Sequence, residues 1–369
     1  MKVDRLKEII KLVLQDEAKQ VQGNFNKKET SDFRERLVKE FREVPKLKKK
    51  EKTVYFTVLK IAAAVLMLIS VSVGIYLISE NTLPDQFYEA ENIDHNQNNE
   101  GTVLILSDGS EIGISSDESI IEYDKLGQKV KIDSDSTLIL DKENQEMETS
   151  ALHELMVPYG KQSKIILSDG SMVWLNSGTT MLYPQEFRGK KREIYLIGEA
   201  YFEVSENKSK PFVVHTHDIE IEVLGTAFNV LAYEENTNVE AVLVEGSVKV
   251  GRSDDHILRN KSIVLSPGQM ASYSKKDKSI STEDVNTEPY ISWKDGYFLC
   301  ESISLQNLTQ KLSRYYNKQI IVSNDALIQR KFSGKLENRE ELEDILEIIC
   351  LSKRLSYVRE NENLYRISE

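Results

Sequence analysis

The chain has 369 residues and a formal net charge of −12, with 40% hydrophobic and 29% charged residues. Residues 1–60 carry 17 Lys/Arg against 10 Asp/Glu, whereas residues 61–369 carry 31 against 50. The length allows two or three domains, and two cysteines, Cys300 and Cys350, are too few for a disulfide scaffold.

Residues 1–52 predict two short amphipathic helices. Apolar residues fall at helical spacing near the N-terminus and recur every four residues in the second segment. Two such helices bury no core of their own in about fifty residues, so their stripes need a partner. The alternatives are a helix-in-groove contact with a cytoplasmic protein and a marginal helical hairpin that only anchors the chain. The stripe residues proposed to bind are Leu6, Ile9, Ile10, Val13, Phe33, Leu37 and Phe41.

Residues 53–79 predict a single transmembrane helix. Residues 61–78 contain no charged side chain, which is enough apolar length to cross a bilayer. Several lysines precede this run, and no Lys or Arg occurs from residue 79 through residue 124. This asymmetry predicts a cytoplasmic N-terminus and an external body. The run begins too far along the chain, and lacks the cleavage pattern, for a signal peptide.

Residues 80–100 predict a polar juxtamembrane linker. The segment is acidic, rich in Asn and Gln, and poor in branched residues. Extended backbone of this kind beside a membrane is accessible to a protease.

Residues 101–285 change to the two-residue period of β-strands. The block Leu-Ser-Asp-Gly-Ser occurs at 106–110 and again at 167–171, each time between two apolar runs. Asp-Gly supplies the positive φ of a tight hairpin, so both copies predict strand–turn–strand. Short strands separated by glycines predict an all-β, solenoid- or sandwich-like body. The further strands are predicted at 194–197, 201–204, 212–215, 219–223, 227–232, 240–244 and 247–250.

His215 and His217 form the pattern in this body most suggestive of a metal site. His-x-His on a strand would place both rings on one face. No third ligand accompanies them, so we predict no metal and no cofactor.

Residues 290–369 predict a small α+β module of order βαββαββ, after a polar linker at 275–289. Ser304 is predicted to cap the first helix and Asn338 the second. The pattern favours one small sheet with two helices packed on it. Cys300 and Cys350 are expected as buried thiols in this core, with a disulfide between them as the alternative.

Several blocks in a fixed order resemble the FecR family of membrane-bound anti-sigma factors. They are VPYGKQSKIILSDGSMVWLNSGTTMLYPQEF, IGEAYFEV, KPFVV, VLGTAFNV, VEGSVKV and LSPGQ, and they cover residues 157–269. Each block alone is weak evidence for the family. The blocks in this order, after a single span with a cytoplasmic N-terminus, are specific for it. The motif residues are Asp169, Gly170, Trp174, Leu175, Asn176, Gly198, Glu199, Phe202, Pro211, Phe212, Gly225, Thr226, Phe228 and Gly246.

The resemblance implies a function for each side of the predicted span. The cytoplasmic helices would bind an extracytoplasmic-function sigma factor, with no direct contact to nucleic acid. The outer part would receive a signal from a TonB-dependent outer-membrane transducer. The resemblance is to the type common in Bacteroidetes, whose C-terminal domain is similar to the short N-terminal domains of secretins and TonB receptors. Such modules pair with similar ones, often by edge strands; the alternative is a cap that only stabilises the body.

Gly225-Thr226 matches the step at which some family members are thought to cleave themselves. The Thr226 hydroxyl would attack the Gly225 carbonyl, and hydrolysis would complete the acyl shift. Nothing local in the sequence supplies a base, and a plain turn before a strand explains the same two residues.

Two other functional classes are alternatives to a sigma regulator. A membrane-anchored module binding glycan or protein could use Trp174, Trp293 and the many tyrosines as a groove, but it has no need for two apolar helical stripes in the cytoplasm. A hydrolase is disfavoured because the chain has no Gly-x-Ser-x-Gly, metal-ligand cluster or phosphate loop.

Overall fold

The computed structural model describes residues 101–133, 136–140, 152–253, 262–338 and 340–369, together with Met67 and Phe87. The chain divides into two compact units, Met1–Thr82 and Leu83–Glu369. Among the described residues, no helix combines the length and the apolar character needed to cross a membrane. The predicted span at 53–79 lies outside them except for Met67, and so do the predicted cytoplasmic helices.

The body is mostly β, as predicted, and forms one large curled sheet. Its eighteen described strands are β1 (Thr102–Ile105), β2 (Glu111–Ile114), β3 (Glu118–Tyr123), β4 (Lys129–Ile132), β5 (Ser136–Ile139), β6 (His153–Val157), β7 (Gln162–Ile166), β8 (Met172–Leu175), β9 (Thr179–Tyr183), β10 (Arg192–Glu203), β11 (Phe212–His215), β12 (Ile219–Val223), β13 (Ala227–Ala232), β14 (Asn238–Glu245), β15 (Val248–Arg252), β16 (Ile263–Leu265), β17 (Gln269–Ser274) and β18 (Ser279–Asp284).

Two half-sheets share strand β10. The first half-sheet has the order β2-β1-β6-β9-β10-β11-β12-β15-β16. The second half-sheet has the order β5-β4-β3-β7-β8-β10-β13-β14-β17-β18. Inward side chains from both half-sheets pack in one core, which includes Leu155 and Met181 from the first and Val173 and Phe228 from the second.

Strand β10 differs from the sequence prediction of two strands at 194–197 and 201–204. It is one strand of twelve residues, whose first half pairs with β9 and whose second half pairs with β8 and β13. Gly198 lies at the changeover with φ +110°, and a Cβ there would sit 2.6 Å from Thr179 Oγ1. Gly198 is therefore needed for a close approach within a continuous strand, and it does not end a strand.

Both Leu-Ser-Asp-Gly-Ser blocks form the predicted hairpins. β1 pairs antiparallel with β2, and β7 pairs antiparallel with β8. Gly109 and Gly170 both have φ +82°, and in both turns the glycine N–H donates to the leucine carbonyl three residues earlier. The two copies therefore share one turn geometry.

The segment 275–289 was predicted as a linker, and that prediction is wrong. It contains β18, which pairs with β17 along six residues from Gln269↔Asp284 to Ser274↔Ser279. Every residue of β18 is at least partly exposed, so the strand lacks the buried alternation on which the sequence prediction depended.

The C-terminal module has the predicted order with short additions. Its elements are α1 (Glu288–Ile291), a 3₁₀ helix (Ser292–Asp295), β19 (Tyr297–Ser304), α2 (Leu305–Tyr316), β20 (Gln319–Val322), α3 (Asp325–Ile328), β21 (Lys331–Glu337), α4 (Leu342–Lys353), β22 (Ser356–Asn361) and β23 (Leu364–Ser368).

Two details of this module correct the prediction. The strands form two separate sheets, β19-β21 and β20-β23-β22, and not one. Ser304 caps α2 as predicted, since its Oγ accepts from Asn307 N. The N-cap of α4 is Glu341, whereas Asn338 continues from β21 with its N–H bonded to the Gly296 carbonyl.

Candidate functional site

Asp169 of the second Leu-Ser-Asp-Gly-Ser block forms a buried ion pair. Arg192 Nη1 lies 2.7 Å from Asp169 Oδ2 and donates also to the Ser205 carbonyl at 2.8 Å. Only 2% of the Arg192 side chain and 14% of the Asp169 side chain are exposed. The Arg192 N–H donates to the Pro211 carbonyl. These bonds fix the β7–β8 turn to the start of β10.

Glu199 is the centre of a polar network on the outward face of the second half-sheet. Its Oε2 accepts from Asn176 Nδ2 at 2.8 Å, and its Oε1 accepts from Asn229 Nδ2 at 3.1 Å. Asn229 Oδ1 in turn accepts from Trp293 Nε1 at 3.4 Å. Asn176 Oδ1 also accepts from the Ser177 backbone N–H.

Arg314 of α2 joins the C-terminal module to the body. Its guanidinium lies 3.8 Å from the ring centre of Tyr233 and 2.7 Å from Glu235 Oε1. Its carbonyl accepts from the Gly160 N–H. Burial raises the pKa of Tyr233 well above its ordinary value, so this tyrosine stays neutral and donates to the Ser177 carbonyl.

A cavity of about 310 Å³ lies between body and module beside these contacts. Its wall includes Glu240, Lys311, Tyr290 and Arg314. Burial raises the pKa of the Glu240 carboxyl. The cavity is therefore a polar part of the interface with both charge signs on its wall.

The aromatic motif residues separate into two groups by face. Phe202 stacks on Phe228 at 4.9 Å and meets Phe212 edge-on at 6.3 Å, all in the core. Trp174 packs on Tyr201 on the outward face, against the C-terminal module. Trp293 is 2% exposed. Packing at the domain interface takes Trp293 out of contact with solvent, so it could not line the sugar groove of the alternative glycan-binding module.

Gly225, Thr226 and Gly246 lie together, but the surroundings of Thr226 do not resemble an activated nucleophile. Its Oγ1 donates to the Ser247 carbonyl at 3.0 Å, and a carbonyl is not a base. A Cβ on Gly246 would lie 2.9 Å from the Gly225 carbonyl oxygen, and one on Gly225 would meet Glu206. Close packing of backbone accounts for both glycines, and self-cleavage at this step stays a prediction.

His215 and His217 are not neighbours on one strand, because β11 ends at His215. The His215 ring stacks on Tyr195 at 4.9 Å, and its Nε2 lies 3.3 Å from Glu193 Oε1. Within the part of the chain that the structure describes, no three His, Cys, Asp or Glu side chains are grouped to hold a metal ion.

Cys300 and Cys350 are free, buried thiols in the core of the C-terminal module. Burial raises the pKa of each to about 11. The expectation of two buried thiols is confirmed, and the disulfide alternative is not observed.

Strand β22 offers the most accessible edge in the C-terminal module. It pairs only with β23 among the described strands, and five of its six residues are exposed. Helix α4 covers one face of this sheet, where Tyr357 donates to the Glu343 carbonyl. Val358 points to the other face and is 59% exposed. An unpaired edge of this kind can accept a strand from a partner.

Two family models match the chain. The model described as FecR protein matches residues 145–249, and the model described as FecR, C-terminal matches residues 297–366. No curated protein matches. The chain therefore carries a segment similar to FecR proteins and, after it, a segment similar to the FecR C-terminal domain.

Two solved structures are similar to this chain. Both are crystal structures of a candidate anti-sigma factor from Parabacteroides distasonis ATCC 8503, at 1.65 and 2.50 Å resolution. The first is 27% identical, with a TM-score of 0.54 over 58% of this chain and 98% of its own. The second is 28% identical, with the same TM-score over 59% and 99%.

The motif residues of the body stabilise its fold and its interface with the C-terminal module. Four partners of the motif residues could not be recognised from the sequence: Arg192, Asn229, Tyr233 and Arg314. Arg192 lies in a basic run that is typical of a solvated loop, and Arg314 lies off the apolar stripe of α2. The predicted sigma-binding residues Leu6 to Phe41 lie outside the described residues.

Proposed function

We propose that this chain is a membrane-spanning anti-sigma factor. Residues 53–79 would cross the bacterial inner membrane once, with the N-terminus in the cytoplasm and the C-terminus in the periplasm. The observation that carries the proposal is a FecR domain and a FecR C-terminal domain on one chain, with solved relatives described as candidate anti-sigma factors. This combination indicates a signalling regulator and not an enzyme.

The cytoplasmic partner would be an extracytoplasmic-function sigma factor. The apolar stripes within residues 1–52 support this, because helices without a core of their own bind where a groove covers them. The periplasmic partner would be the signalling domain of a TonB-dependent transducer. The exposed edge of β22 supports that proposal, since added strands gain main-chain hydrogen bonds there.

Copurification with the tail tests the cytoplasmic half of the proposal. Residues 1–50, expressed alone in the host, should retain a sigma factor. A variant with Ile9, Val13 and Leu37 changed to Asp should retain none, because charge on the stripe opposes burial. If no sigma factor is retained and deletion of the tail leaves transcription unchanged, the anti-sigma function is excluded.

Substitution on β22 tests the periplasmic half. Val358→Lys should weaken binding of the cognate signalling domain about tenfold or more, because an edge lysine opposes strand addition. Val264→Lys is the matched control, since Val264 is 63% exposed on β16. Titration of purified signalling domains from the host's transducers measures the affinity. Equal binding by both variants would place the docking surface elsewhere.

A further inference from the structure

Phe87 is fixed to the body, although residues 80–100 were predicted as a spacer. It is helical and has no exposed surface. It packs in one apolar cluster with Leu182 and Ile197, against which the partly buried Leu152 also packs. Its ring centre lies 5.9 Å from that of Tyr195. A residue shortly after the predicted span is therefore part of the packed unit that begins at Leu83.

The cluster around Phe87 lies on the outward face of the first half-sheet. Leu182 of β9 is opposite Tyr195 of β10. Their neighbours along the strands, Met181 and Leu196, point into the core. An outward face of a sheet is ordinarily solvated, yet Leu182 is only 1% exposed. Phe87 contributes to covering it.

Tyr195, which packs against the Phe87 cluster, is itself held in place. It stacks on His215 with an interplanar angle of 20°. His215 lies between two carboxylates, 3.3 Å from Glu193 Oε1 and 3.8 Å from Glu220 Oε2. Such a supported ring provides a preformed surface for a side chain.

We propose that Phe87 binds in an apolar site on the same chain, and that the contact anchors the membrane-proximal segment to the FecR domain. The site is formed by Leu152, Leu182, Tyr195 and Ile197. Phe87 lies eight residues after the end of the predicted span at residue 79. We expect proteases to cut the chain near Phe87 faster when the Phe87 ring has left the cluster. The role of that release in signalling rests on the proposed function, whereas the anchor does not.

Limited proteolysis of the full chain in nanodiscs tests the anchor. A glutamate-specific protease is suited, because Glu89 and Glu91 follow Phe87 by two and four residues in the sequence and the segment has no Lys or Arg. Phe87→Ala should raise the cleavage rate after these residues at least about fivefold, since cleavage follows the population of the open form. Leu224→Ala, at a residue 41% exposed, is the control and should cleave at the wild-type rate.

A cross-link separates loss of the anchor from loss of the fold. In the double variant Phe87→Cys, Leu182→Cys the two thiols belong to one cluster, so a short thiol-reactive cross-linker with a reducible spacer should join them. Cross-linked, the variant should be cleaved no faster than wild type; after reduction of the spacer, it should be cleaved faster. If Phe87→Ala is cut at the wild-type rate while its body melts normally, the anchor is disproved. Sigma factor retention by the tail is measured separately, so its absence would exclude the proposed function and leave the anchor standing.

Discussion

Arg192 shows how one side chain can determine a local structure. Its guanidinium donates to Asp169, to the Ser205 carbonyl and, through Nε, to the Lys210 carbonyl. It therefore ties together three stretches of chain that are separate in sequence. A buried charge of this kind is tolerated only while its partners are present.

Asp169→Asn should lower the free energy of unfolding by about 3 kcal/mol, because it leaves a buried guanidinium without its counterion. The first Leu-Ser-Asp-Gly-Ser block provides the matched control. Asp108 has the same bond to its serine N–H but is exposed and has no arginine partner in the described structure. Urea unfolding of residues 83–369 measures the free energy of unfolding of each variant. Equal effects of Asp169→Asn and Asp108→Asn would refute the importance of the ion pair.

His153 makes stability depend on pH. It is 1% exposed, and its Nδ1 lies 2.8 Å from the Tyr123 hydroxyl. Burial lowers its pKa to about 4, compared with about 6.5 in an unfolded chain. Between these two pH values, His153 therefore carries a proton in the unfolded state that it lacks in the folded state. The stabilisation from neutral His153 is complete above about pH 6.5. As the pH falls towards 4 it is lost, and the free energy of unfolding decreases by at most about 1.4 kcal/mol per pH unit.

His153→Gln should flatten that dependence between about pH 7 and about pH 5. The control is Leu224→Ala, at a residue 41% exposed; it removes no titratable group and should retain the wild-type slope. Urea unfolding at several pH values measures the slope for each variant. If His153→Gln keeps the full slope, another group is responsible for the pH dependence.

At the scale of the element, β10 is the strand on which the body depends. It is buried or half-buried along its whole length. The reason is that both of its faces are covered: the core lies on one side, and Phe87 and the C-terminal module lie on the other at its two ends. Gly198 allows the strand to pass from one half-sheet to the other.

Gly198→Ala should destabilise residues 83–369 by about 2 kcal/mol or more, since the added methyl combines an unfavourable φ with an overlap on Thr179. Gly113→Ala on β2 is the control, because nothing lies within 4 Å of a Cβ there. Thermal unfolding distinguishes the two. A Gly198→Ala variant as stable as wild type would mean that the strand relaxes at this point.

At the scale of the whole molecule, the body connects two docked parts. Phe87 is bound on the outward face of the first half-sheet, and Trp293 and Arg314 hold the C-terminal module on the outward face of the second. Among the described strands, β22 has a partner on one edge only. A partner bound at the other edge influences Phe87 only if it favours one of two arrangements of the body.

Much of this organisation could be predicted from local patterns. The two hairpins, the strands from β11 to β15 and the helices α2 and α4 follow from alternation, caps and Asp-Gly turns. Strand β18 could not be predicted, because its residues are exposed and carry no alternation. The continuous β10 could not be predicted either, since Gly198 is as typical of a turn as of a bend within a strand.

The sequence by itself determined the resemblance to FecR proteins, the β-rich body, the α+β module and the prediction of a span, because short-range periodicity and ordered motifs record local conformation. Only the tertiary structure decided which partners the motif residues have. Asp169 meets Arg192, Glu199 meets Asn176 and Asn229, and Phe87 meets Leu182. These pairs are distant in sequence, and a polar or aromatic residue alone does not reveal which buried surface will satisfy it.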